Sequence, residues 1–290
     1  MGIKNRDGNF WESALMNKAT LAQYLDRLTE LAVSMFEWKG LPETIDPCIL
    51  ELWLFTYGSV AFFNDEAGYL ALPATFHGKF NYNGIPKKRR AYSPYNGFSR
   101  SLDEKNSVLI YNNMLRKNSI RDVQIYAKRL YKYDRIIDTN VNAQKTPLLV
   151  ACDENERLAM KNVYKMYEGN EPVIFGTKAL NPNAIKVLST NAPFVADKIY
   201  DLRTQIWNEI LTHLGISNIN NVKKERMITD EVTRNLGGTV ASRYSRLNMR
   251  KNACKQINAM FPELHVECDY REDYNLIPDD FDESEGEDNG

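Results

Sequence analysis

Histidine and cysteine are both scarce in this chain of 290 residues, at three and four copies. His77, His213 and His265 stand alone, and no HExxH, GxSxG or P-loop pattern accompanies them. No pair of carboxylates has a recognisable acid/base or metal spacing, so the sequence offers no catalytic constellation, and neither enzyme activity nor a cofactor is expected. Without a P-loop the chain is not expected to hydrolyse a nucleotide itself. Cys48, Cys152, Cys254 and Cys268 form no CxxC pair or regular framework, which points away from structural zinc and disulfides and toward a reducing compartment. There is no run of 18 uninterrupted apolar residues and no apolar stretch at the N-terminus, so neither a membrane span nor a secretory leader is expected. Met1-Gly2 suggests myristoylation, but Arg6 stands where that signal needs Ser or Thr.

An excess of charge is missing too. Lys and Arg number 37 against 38 Asp and Glu, which argues against a protein that grips nucleic acid over its whole surface. Any polyanion contact must be local. The distribution is uneven, however. "KKERMITDEV" (223–232) mixes both signs densely, and from Thr233 to Pro262 there is no acidic residue at all, while Arg234, Arg243, Arg246, Arg250, Lys251 and Lys255 are present. Gly237 and Gly238 near its start are compatible with a mobile basic loop. The tail "IPDDFDESEGEDNG" has the opposite character, with seven acidic residues and almost nothing apolar, and is expected to be disordered.

What is abundant is apolar and aromatic material: 43% hydrophobic residues, with 16 Tyr and 12 Phe, enough for a sizeable core. Apolar positions between Trp11 and Trp38 recur at threes and fours, predicting an amphipathic helix ended by Gly40 and Pro42. Asp46-Pro47 reads as an N-cap with proline in the first turn, followed by "CILELWLFTYGSVAFF", which drifts from helical to β-rich composition. Residues 64–113 read as short strands and turns, ending in the clear strand "SVLIYN", with "KKRR" (87–90) in a loop. Ile120, Val123, Ala127, Leu130, Ile137 and Val141 mark a helix of about 25 residues, roughly 37 Å long. A second long helix follows Pro193, with Val195, Ile199, Leu202, Ile206, Ile210 and Leu214 on one stripe and Gly215 at its end. Between them lies a β-α-β pattern of strand "TPLLVAC", helix, turn "EGNEP" and strand "VIF", too small to bury a core alone, which suggests copies packed side by side.

The blocks "FEWKGLPETIDP" (36–47), "VLIYNN" (108–113), "NAQKTPLLV" (142–150), "VYKMYEGNEPVIF" (163–175), "APFVADK" (192–198) and "KKERMITDEV" (223–232) together resemble, in order and spacing, the portal proteins of phi29-type short-tailed phages, also called upper collar or head-tail connector proteins. The N-terminal arm, the part after Val232 and the acidic C-terminus depart from that pattern. The resemblance implies an α+β portal fold: long tilted stem helices, a small β-α-β clip and an α+β wing, assembled as a dodecameric ring. On this plan residues 1–118 hold the N-terminal helix and the first part of the wing, 119–145 and 193–216 the stem helices, and 146–192 the clip. Residues 217–270 form the second part of the wing, with a channel loop at about 233–246, and 271–290 the acidic tail.

The same resemblance implies a structural function as a conduit for double-stranded DNA in packaging and ejection. Its partners would be other copies of the chain, DNA without sequence preference, the major capsid and scaffolding proteins, a packaging ATPase and a lower collar or tail protein. No membrane is involved, and use of a packaging RNA is left open. Lys198, Arg203, Arg234, Arg243 and Arg246 are then the candidates for the DNA channel. Lys223, Lys224, Glu225, Arg226, Asp230 and Glu231 would anchor the channel loop and touch neighbouring subunits, and Tyr164, Tyr167, Glu168, Asn170 and Ile174 would supply clip contacts. Solvated helix faces and ordinary core packing account for several of these residues as well. The rival reading is a small DNA-binding protein using the basic 234–255 segment.

Overall fold

The structure is a computed structural model that describes residues 4–144, 148–150, 185–187, 193–217 and 229–271, with side chains described within 18–142, at 144, and within 193–217 and 237–271. Two compact units divide the chain: the first comprises Met1–Tyr131 and Thr204–Gly290, and the second is the inserted piece Lys132–Arg203.

The first unit is built around an antiparallel five-stranded sheet of order β5-β4-β3-β2-β6, made of β2 (Ser59–Asp65), β3 (Gly68–Phe80), β4 (Pro86–Tyr92), β5 (Ser99–Asp103) and β6 (Ser107–Tyr111). Val60, Ala61, Phe62 and Phe63 are all fully buried. Consecutive rather than alternating burial means both faces of β2 are covered. Helix α2 (Pro47–Tyr57) packs on β2 and β3. It begins as its sequence predicts, with the Asp46 carboxylate accepting from the Cys48 N–H at 2.8 Å and proline in the first turn. It ends at Gly58, whose φ of 85° is left-handed and whose N–H closes on the Leu54 carbonyl.

Helix α1 (Lys4–Val33) stops short of the predicted Trp38. Residues Phe36–Lys39 form β1 instead and pair antiparallel with β9 (Glu267–Tyr270), in the register Phe36 to Tyr270 and Trp38 to Cys268. The partner lies more than two hundred residues away, so a reading of local periodicity extends the helix through it. A second correction concerns "KKRR". It lies within β4, hydrogen-bonded to β3 and β5, so the period of two turns Arg89 inward while Lys87, Lys88 and Arg90 stay exposed.

Helix α3 (Ile120–Ala143) and helix α4 (Ala196–Leu214) agree closely with the predicted long helices. Gly215, with a φ of 86°, terminates α4. In the first unit α3 buries Val123, Ala127 and Leu130, and α4 buries Ile206, Ile210 and Leu214. In the second unit Asn140 clasps the start of α4. Its amide donates to the Pro193 carbonyl at 2.9 Å and its Oδ1 accepts from the Val195 N–H at 2.9 Å. Strand β7 (Leu148–Val150), within the predicted "TPLLVAC", pairs antiparallel with β8 (Ile185–Val187). The predicted short helix and "VIF" strand lie outside the described residues.

Candidate nucleic-acid interface

The acid-free segment was expected to contain a loop at about 233–246. The structure instead runs one continuous helix, α5 (Thr229–Met260), straight through Gly237 and Gly238. Two adjacent glycines cost a helix about 1 kcal/mol each relative to alanine. Tertiary packing offsets that cost: Ala253, Cys254 and Ile257 are buried, and α5 lies against β6 and β9.

Two of the described arginines of α5, Arg246 and Arg250, turn inward. Arg250 is 1% exposed, and its guanidinium grips Glu51 through Nε to Oε1 at 2.8 Å and NH2 to Oε2 at 2.6 Å. NH1 donates to the carbonyls of Asn112 and Arg246 at 3.0 and 3.1 Å, and the charge lies 3.9 Å from the centroid of the Phe36 ring. The Trp38 indole donates to Glu51 Oε1 at 2.8 Å, completing a cluster that ties α5 to α2, β1 and the end of β6. Burial alone would lower the Arg250 pKa, but the Glu51 carboxylate more than offsets it and the net direction is upward. The pair is a buried cross-brace that sequence reasoning missed. One signal did exist: Glu51 is the lone charge in "CILELWLFTY", and a carboxylate inside an apolar run demands a partner.

Arg246, 6% exposed, directs NH1 to the Ser242 carbonyl and NH2 toward the Ser119 hydroxyl, at the long distances of 3.4 and 3.5 Å. Burial first, and the neighbouring Arg250 charge second, push its pKa down to about 10. Within the chain it is a buried structural cation and not an exposed one. Arg243 is half-buried; its Nε donates to the Gly215 carbonyl at 2.7 Å, and its guanidinium sits 5.5 Å from the Tyr270 ring centroid. Lys251 is ion-paired with Asp269 at 2.7 Å, and Lys255 is exposed. Arg234, Asp230 and Glu231 lie on α5 with side chains outside the described residues, as are Lys223, Lys224, Glu225 and Arg226 altogether. Tyr164, Tyr167, Glu168, Asn170 and Ile174 are also outside them.

In the second unit, Lys198 is exposed on α4. Arg203 is engaged at 2.8 Å by Asp134 and covers the Tyr200 ring at 4.5 Å, so much of its charge is answered within the chain. In the first unit, His213 meets Asp122 at 3.1 Å and the Tyr126 hydroxyl donates to Glu209 at 2.8 Å. His213 thus serves the helix pairing. Burial and the Glu209 carboxylate push the Tyr126 pKa up to about 12.

Among the candidate cations, Lys198 keeps an exposed side chain, Arg203 and Arg243 are partly committed, and Arg246 is buried.

The model of the family described as Phage Connector (GP10) matches residues 12–275. Among solved structures, the chain is similar to one from the portal and tail of native bacteriophage P68, with a TM-score of 0.51 and 15% identity, covering 91% of this chain and 90% of that one. It is also similar to an HK97-family phage portal protein from Corynebacterium diphtheriae, at a TM-score of 0.45 and 11% identity over 86% and 91% of the two chains. A chain from the neck of an empty gene transfer agent particle matches at a TM-score of 0.49 and 8% identity, over 88% and 81%.

Proposed function

The chain belongs to the phage connector family, and from that premise we propose that it is the portal of a tailed phage: a ring of copies at one capsid vertex, with double-stranded DNA passing through its centre. The observation that carries this reading is the family match across residues 12–275, together with a portal-type fold shared over about nine-tenths of the chain from phage P68. The ring holds twelve copies, as the sequence resemblance implies. It joins capsid and scaffold to a lower collar or tail protein in the virion, and it docks a separate packaging ATPase. The chain's own part is mechanical.

Lys198 is the strongest DNA-facing candidate, because its charge is exposed where those of Arg203 and Arg246 are tied up. Repeated around a ring, one lysine per chain gives a band of positive charge facing a polymer with one negative charge per about 1.7 Å. Such a band guides without reading sequence. The rival reading, a small DNA-binding protein built on 234–255, loses support from the inward turn of Arg246 and Arg250 and the Lys251–Asp269 pair.

The test is the native mass of the purified protein with negative-stain images of the same sample. Hollow rings of about twelve chains are expected. A compact monomer that persists at high concentration with scaffold present, and binds DNA in a steeply salt-dependent way, would overturn the portal reading.

A further inference from the structure

The second unit leaves most of its described surface uncovered. Among its described residues Ala196 is the one buried apolar side chain, whereas Ile136, Val141, Phe194 and Leu202 are 46%, 46%, 58% and 45% exposed. Two short stretches of helix that bury so little need another body against them.

The charges indicate what that body is. Successive helical residues turn by about 100°, so Asp134, which meets Arg203, marks the side of α3 facing α4 within this unit. Lys132 and Ile136 fall on the opposite side of α3, each about 160° from Asp134, with Arg135 about 100° away on the flank, and all three are exposed. On α4, Arg203 and the buried Ala196 mark the side facing α3. Asp197 and Asp201, four residues apart and both exposed, fall on the far side. Lys198 and Leu202 form a separate stripe beside them, on the same outer side. Within this unit the internal Asp134–Arg203 pair takes one acid from α3 and one base from α4, leaving Lys132 and Arg135 against a single exposed acid, Asp138, on α3, and Asp197 and Asp201 against a single exposed base, Lys198, on α4. What remains exposed is mainly basic on α3 and mainly acidic on α4, on opposite sides of the two-helix layer.

We propose that these edges join neighbouring copies of the chain head to tail: Lys132 and Arg135 of one subunit meet Asp197 and Asp201 of the next, with Ile136 covered at the contact. The proposal rests on the ring reading above and gives that ring its direction. An interface of two different patches on opposite sides of one body is heterologous, and repeats until the rotation closes.

The experiment uses two full-length variants, Lys132→Glu/Arg135→Glu and Asp197→Lys/Asp201→Lys, examined alone and mixed in equal amounts by native mass and negative stain. Each alone presents like charges across every contact, and ring yield should fall about tenfold or more. Mixed, each acidic edge finds a basic one, and rings should return with both chains in equal number. If either variant alone assembles like wild type, or the mixture fails to recover rings although each chain melts like wild type, the proposal falls. A wild-type protein that forms no rings would instead remove the portal reading itself, and this inference with it. A second measurement covers a reversal that impairs folding: wild-type rings should loosen as salt rises. The neutral Lys132→Gln/Arg135→Gln variant should lose that salt dependence, and its retention would count against the pairing.

Discussion

Arg250 and Glu51 lie 199 positions apart in the chain and form a bidentate pair with almost no access to solvent. Removing one partner strands the other's charge in the core. Arg250→Met alone or Glu51→Leu alone should therefore cost ~3–5 kcal/mol in chemical denaturation, whereas the double replacement should cost much less, because no unpaired charge remains. A double variant no more stable than the singles would mean the pair holds more than charge. The two thiols beside it carry a pH prediction. Burial pushes the Cys254 thiol up to about 12, and raises Cys268 as well. A thiol whose folded value exceeds its unfolded one adds stability that is complete below the unfolded value and is lost as pH climbs toward the folded one. Stability should thus fall between about pH 9 and about pH 12, by up to ~1.4 kcal/mol per pH unit for each thiol, and Cys254→Ala/Cys268→Ala should flatten that slope in alkaline denaturation curves. Under native conditions Cys48, which is exposed, should react with a thiol reagent while Cys254 and Cys268 resist until unfolding.

At the junction of α2 and β2, a Cβ on Gly58 would lie 2.7 Å from the Asn118 nitrogen and 2.8 Å from the Lys117 carbonyl carbon, and both are backbone. Gly58→Ala therefore meets a left-handed φ and a collision with groups that cannot rotate away. It should lower the denaturation midpoint by an amount equivalent to ~2 kcal/mol or more. Asp46→Ala at the other end of the helix should cost only ~1 kcal/mol, since the first turn can be solvated instead. Both ends of α2 were legible in the sequence, as were "SVLIYN" and the two long helices, because caps, glycines and periodicity are local signals. Strand β1 and the inward arginines of α5 were not. Phe36–Lys39 becomes a strand only because residues 267–270 come alongside, and Arg246 and Arg250 are buried because Ser119, Asn112 and Glu51 receive them. A basic segment without acidic neighbours looks like a surface until its distant partners are known. Gly237-Gly238 misled for a related reason: local propensity favours a break, and packing on β6 and β9 overrides it.

For the assembly, head-to-tail contacts between two oppositely charged edges carry a counting rule. A mixed ring of the two charge-reversed variants can close only with an even number of chains, since the two kinds must alternate. If the ring holds twelve, native mass should find six of each, and an odd-numbered wild-type ring would leave mixed rings open or defective. Within one chain, the division into units has a consequence in time. The first unit is made of two lengths of sequence, Met1–Tyr131 and Thr204–Gly290, with the second unit inserted between them. Strand β1 is synthesised near the start, yet its partner β9 and the α5 arginines come near the end. On a ribosome adding about 5–20 residues per second, the five-stranded sheet must wait some ten seconds or more with one flank bare. A nascent chain of this protein is therefore a prolonged client for any chaperone that binds exposed apolar strands, and stalled fragments lacking residues after 250 should be held by such a chaperone while the full-length chain is released.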